Sequence, residues 1–432
     1  MLATPHRIRP AIASILTAVA CTIAVFVLPV PAPAAAAPGS TTPTQCPTTT
    51  SGADQQRVEP ARVALDPVAV RDAIAYAESH MRATVRVYRN NCLVGTGRSN
   101  TATSGAQMPV FSATKSVVSI LTGIAADHGA LRLDDAIGRY LPTGRDWGDA
   151  AHRAITVRQL LTQTSGLQSA EIAEVASVGN DPDIAQEALA QPLVARPGTY
   201  FSYSQRGPDL LAFVVQRAVG TDLQAFADRY LFAPLGIAHA NYTWLRDRTG
   251  HTYGYAHLFL QPGSFAKLGL LMLNEGTWAG RQIVSPSYAG RVSIPSAANG
   301  CYGLLFWTNR GTRCTAGEMP YRQTIDHRMI LSAPPDLYAI DGAAHQDDFM
   351  IPSLRIAVMW MGVAGDANSY GTNNPAASDL FHNFFRILLH GVRDTPWHDP
   401  GPYQAPPTGV PASPDAYADP NVLLRDLAPS AH

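Results

Sequence analysis

The sequence predicts an α+β fold, with an antiparallel sheet assembled from both ends of the folded region and a helical lobe inserted between them. Three observations point there. Early in the chain, Ala83-Thr-Val-Arg-Val-Tyr-Arg alternates like a half-buried strand and turns at Asn90-Asn91 into Cys92-Leu-Val, a hairpin signal. Between residues 112 and 273 apolar residues recur at helical spacing instead. Beyond residue 300 the pattern returns to short runs rich in β-branched and aromatic residues.

The helices can be taken in order. Residues 112–129 read as a buried helix with Val117, Val118, Ile120, Leu121, Ile124 and Ala125 on its apolar side and Gly129 as its stop. A second begins at Thr156-Val-Arg-Gln-Leu-Leu and is expected to end near Ser165-Gly166. A third covers 208–219 and stops at Gly220, and a fourth covers 264–273. Tyr302-Gly-Leu-Leu-Phe-Trp, Leu337-Tyr-Ala-Ile-Asp and Arg355-Ile-Ala-Val-Met-Trp-Met read as strands, and 379–390 as a last amphipathic helix.

The ends of the 432-residue chain are of a different kind. His6, Arg7 and Arg9 precede an apolar run at 11–30, and small residues follow at 34–37. That is the layout of a cleaved signal peptide over 1–37; the run is also long enough to anchor in a bilayer if uncleaved. Residues 38–59 are expected to be a flexible Pro/Thr/Ser linker, and 396–432 a Pro-rich tail. The intervening 60–395, roughly 335 residues, suffices for one large domain. Composition of 46% hydrophobic and 15% charged residues excludes a disordered chain, and a net charge of −1 with no basic run argues against nucleic acid as a partner.

Export implies an oxidising compartment. Beyond the signal four cysteines remain, Cys46, Cys92, Cys301 and Cys314. Cys301 and Cys314 are near neighbours whose bridge would be worth about 3 kcal/mol by loop-closure entropy, which leaves Cys46 to tie the linker to Cys92. No cysteine or histidine spacing supports a metal site, and no cofactor is expected.

Ser112-Ala-Thr-Lys115 carries the chemistry. On a helix, positions i and i+3 share a face, so the hydroxyl and the amine point into one space. The serine sits at a helix N-terminus, where unpaired N–H groups favour a developing oxyanion. A buried lysine is expected to lose its charge readily and accept the serine proton. The bland alternative, a serine cap with a solvated lysine, conflicts with the apolar run that follows. The chain has only one other lysine, Lys267, expected to be solvated. No G-x-S-x-G occurs, which argues against an α/β-hydrolase elbow.

At this point the sequence resembles the penicillin-recognising serine hydrolases: class C β-lactamases, D-alanyl-D-alanine carboxypeptidases, related esterases and aminohexanoate-oligomer hydrolases. The resemblance runs over about 83–390. Its anchors are Phe111-Ser-Ala-Thr-Lys-Ser, Asp127-His-Gly-Ala-Leu-Arg-Leu-Asp-Asp-Ala-Ile, Ile155-Thr-Val-Arg-Gln-Leu-Leu-Thr-Gln-Thr-Ser-Gly-Leu, Pro197-Gly-Thr-Tyr-Phe-Ser-Tyr-Ser and Phe232-Ala-Pro-Leu-Gly-Ile. It implies a β-lactamase/transpeptidase-like fold and a Ser112 acyl-enzyme.

It also implies roles for other residues. Tyr203-Ser204-Gln205 corresponds to the family's tyrosine motif, with Tyr203 passing a proton to the leaving group and the Lys115 charge favouring its phenolate. Gln205 stands where Asn is commoner and is a candidate substrate ligand. The third motif falls on Ile340-Asp341-Gly342, where glycine permits close approach and the Ala343 amide completes an oxyanion hole with Ser112. A rival register uses His345, a residue that either faces the cleft or is simply packed. Ile340 replaces the family's cation, so an anionic β-lactam or D-Ala-D-Ala substrate loses a charged partner.

The resulting expectation is an exported serine hydrolase acting on a small-molecule or peptide-like ester or amide. A D,D-carboxypeptidase or β-lactamase, or an inactive envelope binding protein on the same fold, stand as alternatives.

Overall fold

The computed structural model describes residues 42–51, 54–317, 321–363, 374–407, 410–411, 413 and 418–428. The expected signal segment, 1–37, lies outside them. From Pro43 onward the chain belongs to one compact unit.

Its centre is a six-stranded antiparallel sheet: β1 (Arg82–Arg89), β2 (Cys92–Thr96), β3 (Trp307–Thr308), β4 (Tyr338–Gly342), β5 (Gln346–Ile351) and β6 (Ile356–Gly362), in the spatial order β2-β1-β6-β5-β4-β3. The two termini of the folded region therefore meet where β1 pairs β6. The β1–β2 turn places Asn90 and Asn91 at φ 54° and 62°, the paired left-handed conformation that suits a tight hairpin. Every residue of β6 is buried, because helices cover both faces of the sheet, and its unbroken apolar run follows from that.

Helices α1 (Pro67–Ser79) and α8 (Asp379–His390) pack on one face, where Trp360 meets Phe381 and Phe384, and Phe349 meets Phe385. On the other face lies α7 (Pro262–Leu273), against β5 and β6. The inserted lobe contains α2 (Ala113–Asp127), α3 (Val157–Leu161), α4 (Glu171–Ala176), α5 (Ile184–Ala190) and α6 (Arg206–Val219). α2 is buried all round from Ala113 to Ala125 and touches both α6 and β4. That contact sets the helix N-terminus beside the sheet edge.

The structure departs from the sequence expectation in several places. The second helix is one short turn, Val157–Leu161, and most of the run at 302–307 bends rather than extends. β5, which the sequence analysis assigns to no strand, begins Gln-Asp-Asp, yet all six of its residues are buried. Asp347 Oδ2 accepts from the Trp360 indole (2.7 Å) and Asp348 Oδ2 from the Gly269 amide (2.9 Å), which lets the two carboxyls enter the interior. Lys267 is buried rather than solvated, with Nζ 3.4 Å from the Gly236 carbonyl.

The linker and the Pro-rich tail are both attached to the body through their described residues. Cys46–Cys92 bridges the linker to β2, and Cys301–Cys314 forms the second disulfide. The tail is held along its described length by Trp397 to the Ser332 carbonyl (3.0 Å), His382 to the Gly401 carbonyl (3.0 Å) and the pairing of Arg322 with Val410. It ends in α9 (Pro420–Leu427), packed on α4 and α5. Proline-rich sequence builds no core of its own, but the rest of the molecule supplies partners for it.

Candidate active site

Ser112 occupies the N-terminal boundary of α2. Its neighbour Phe111 is held at φ 46°, a left-handed conformation costly for a bulky residue, so the turn into the helix is forced by its surroundings. The Ser112 hydroxyl makes no capping bond to its own helix. It lies instead 3.0 Å from Lys115 Nζ, the i+3 geometry expected from the sequence.

Lys115 is fully buried. Its amine donates to Gln205 Oε1 at 2.6 Å and to the Tyr255 carbonyl at 3.2 Å. Burial pulls its pKa down to about 7, against the opposing pull of Glu171, Asp209, Glu174 and Asp341. A neutral amine has two hydrogens and one lone pair. With both hydrogens taken by Gln205 and Tyr255, the lone pair is left directed at the Ser112 hydroxyl.

Tyr203 is buried between Tyr302 and Trp307, each with ring centroids 6.1 Å away. Its phenol neighbours Ser112, and Lys115 Nζ stands 4.6 Å from its ring centroid. The expectation that Lys115 would favour a phenolate needs correction. Burial, reinforced by Tyr302, drives the Tyr203 pKa well above that of free tyrosine, and the amine sits over the ring face rather than at the oxygen. Tyr203 is a protonated donor.

Gly342 ends β4 against the start of α2. A Cβ there would stand 2.2 Å from the Val110 carbonyl oxygen and 3.1 Å from the Ala113 amide, so only glycine allows this approach. Ala343 follows it at the exposed start of the β4–β5 turn. His345 is placed elsewhere. At φ 55° its ring packs edge-on against Phe381 of α8 (centroids 4.8 Å), with Nδ1 3.7 Å from Asp347. This seats it on the helix-covered side of the turn, so the register that puts it in the cleft is not the one adopted.

Other residues near the nucleophile carried no readable signal. Tyr255 acts through its backbone carbonyl. Glu171 and Glu174 lie in α4. Glu174 Oε2 accepts from the Gln205 amide at 2.8 Å, and burial raises its pKa to about 8. His257 is held neutral by burial, its pKa near 4, with Nε2 2.8 Å from the Tyr255 hydroxyl. Asp341 lies directly across the ladder from Asp347. Burial raises both carboxyls, and they are hydrogen-bonded to one another, an arrangement that needs a shared proton.

With the half-buried Ser112 beside the buried Lys115 and Gly342 packed on the start of their helix, the site geometry is in place, and the Beta-lactamase family profile matches residues 74–357. The chain belongs to the Beta-lactamase family. Among curated relatives, Protein flp of Staphylococcus aureus (strain MW2) is 27% identical over 137 residues, 30% of this chain and 28% of that protein. The chain thus spans under a third of that relative's length. An uncharacterized protein, MT1414, of Mycobacterium tuberculosis is 27% identical over 258 residues, 47% of this chain and 64% of that one. Among solved structures, a family VIII carboxylesterase superposes with TM-score 0.55 at 17% identity, covering 75% of this chain and 96% of its own. SurE with D-Leu gives 0.55 at 21%, with 81% of each chain covered. A penicillin-binding protein homolog from Caulobacter crescentus gives 0.52 at 15%, covering 68% and 91%. At these identities the superpositions establish the β-lactamase-like fold, an antiparallel sheet with packed helices.

Proposed function

We propose that this Beta-lactamase-family protein is an exported serine hydrolase that cleaves a small ester or amide through an acyl-enzyme on Ser112. The observation that carries the reading is the 3.0 Å contact between Ser112 and a buried Lys115 whose amine gives up its proton near pH 7 and is oriented by two carbonyl acceptors. Lys115 takes the hydroxyl proton as Ser112 Oγ attacks the substrate carbonyl. Tyr203, already protonated, donates to the leaving group, and the proton on Lys115 restores the phenol. In this reading the oxyanion faces the Ser112 and Ala343 amides, supported by the close packing of Gly342, the residue before Ala343, on the start of α2. Water then releases the acyl group by the reverse path.

Ile340, fully buried on β4, leaves no cation at the position that holds a substrate carboxylate in β-lactamases. A neutral ester or amide therefore fits better than an anionic β-lactam, in keeping with the carboxylesterase among the structures of the same fold. Two disulfides in the described chain support residence outside the reducing cytosol, and residues 1–37 supply the export signal in this reading.

The test is the intact mass of the protein after a fluorophosphonate serine probe, beside Ser112→Ala. One adduct, lost in the variant, is expected. A folded protein that takes no adduct would overturn the reading.

A further inference from the structure

Both carbonyls that aim the Lys115 amine at Ser112 are anchored to one buried charge cluster. Gln205 is fixed through its amide to Glu174. Tyr255 is fixed with Gly254 through their amides to Asp209 Oδ1, at 3.3 and 2.7 Å. Arg206 joins the two arms: Nη2 donates to the Glu174 carbonyl at 3.1 Å, and Nη1 to Asp209 Oδ2 at 3.1 Å. The guanidinium is fully buried and also meets Ser177 (2.7 Å), Asp181 (2.8 Å) and Glu187 (3.2 Å). These partners all lie within the inserted lobe.

The last partner does not. Asp426 Oδ2 stands 3.2 Å from Arg206 Nη2, and Asp426 belongs to α9, 220 residues further along the chain. It is fully buried, and its other oxygen accepts from Gln191 at 2.9 Å. The helix is seated by Val422 against Ala170 and Ala173, and by Arg425 on Gln168 and Gln191, each at 2.7 Å. A buried guanidinium tolerates the loss of a carboxylate partner poorly and turns toward those that remain. Here those partners hold the acceptors of Lys115.

We propose that Asp426 is a positioning residue for the Ser112–Lys115 pair, acting through Arg206, Glu174 and Gln205, so that the C-terminal helix is a working part of the hydrolytic site. This rests on the hydrolase reading above. The groups facing Lys115 are Ser112, Tyr203, Gln205, Tyr255 and His257, with the carboxyls of Glu171, Glu174, Asp209 and Asp341 around them. Removing the Asp426 charge lets Glu174 ionise more readily, since Asp426 is one of the groups that hold it protonated. An ionised Glu174 favours the Lys115 ammonium, so the active neutral base forms at higher pH.

The experiment uses the full chain and compares wild type with Asp426→Asn and Asp426→Glu. It reads the fluorophosphonate adduct rate and the pH dependence of p-nitrophenyl acetate hydrolysis. Asp426→Asn is expected to slow adduct formation by about 2–30-fold with little change in KM. Its acid limb should move up by on the order of half a pH unit, and Asp426→Glu should recover most of both. A folded Asp426→Asn with the wild-type rate and limb overturns the proposal and leaves the hydrolase reading standing, whereas wild type without an adduct removes both. If Asp426→Asn does not fold, Val422→Ala, which loosens the seat of the same helix, decides: a lowered melting temperature with unchanged rate and limb overturns the proposal.

Discussion

Gln205 Oε1 accepts from Lys115 Nζ at 2.6 Å, closer than the 3.0 Å between that nitrogen and Ser112 Oγ. The glutamine therefore orients the candidate base, a different duty from the substrate contact its position suggests. Gln205→Leu removes the acceptor and leaves a buried amine hydrogen unpaired. The expected result is a fall in kcat/KM of about 5–150-fold, carried mainly by kcat. Gln205→Glu puts a carboxylate on the amine and should raise the acid limb of the pH profile by about 1–3 units. A wild-type profile in Gln205→Glu would show that Lys115 is not the base.

The wild-type pH profile follows from Lys115 itself. Only the neutral amine accepts the serine proton, and burial brings the pKa down to about 7. Activity toward an activated ester should therefore be low at pH 5, rise with a single ionisation near pH 7 and level off above it. Tyr203, held protonated far above that range, adds no limb near neutrality. A profile flat from pH 5 to 8 would assign the base to another group.

Gly342→Ala tests the meeting of sheet edge and helix. Its Cβ would lie 2.2 Å from the Val110 carbonyl, on backbone that leads directly into Ser112, so the strand end and the serine must move apart. The expected stability cost is about 1–3 kcal/mol, read by denaturant unfolding, with a larger proportional loss in the rate of Ser112 labelling. Retained labelling at reduced stability would place the oxyanion donors elsewhere.

The parts of this site that could be read in the sequence are those whose residue types bear the chemistry at fixed local spacing. Ser112 and Lys115 are one helical turn apart, and the apolar run after them foretold the burial that lowers the lysine. Gly342 was reachable only through resemblance, since nothing in Ile-Asp-Gly announces a helix against it. Tyr255 contributes a backbone carbonyl, which any residue would supply, so its side chain gives no hint. The carboxylate cage of Arg206 gathers residues from four separate segments. The central strand that holds Asp347 and Asp348 went unassigned because the partners that let its carboxyls be buried, Trp360 and the Gly269 amide, are remote in sequence. The attachment of the Pro-rich tail was unreadable for the same reason, its partners being carbonyls and side chains of the body.

The cage also fixes how stability varies with pH. Burial raises Glu187 to about 10, Glu174 to about 8, Asp209 to about 7 and Asp426 to about 6, all above their unfolded values near 4. Each carboxyl holds a proton more tightly in the folded chain, so its contribution is complete below pH 4 and is lost as pH rises through the folded value. Lys115 acts in the opposite sense, adding stability with rising pH, but only between about 7 and its unfolded value of 10.5. Between pH 5 and 7 Lys115 does not oppose the carboxyls; His257, held near 4, adds stability up to its unfolded value of 6.5, but the carboxyls outnumber it, and the melting temperature is expected to fall across that window. Glu187→Gln keeps the shape of the protonated acid without its titration, and should flatten part of the decline. Scanning calorimetry of both proteins at pH 5, 6 and 7 checks this; a melting temperature that climbs with pH in the wild type would mean that the carboxyls around Arg206 are ionised throughout.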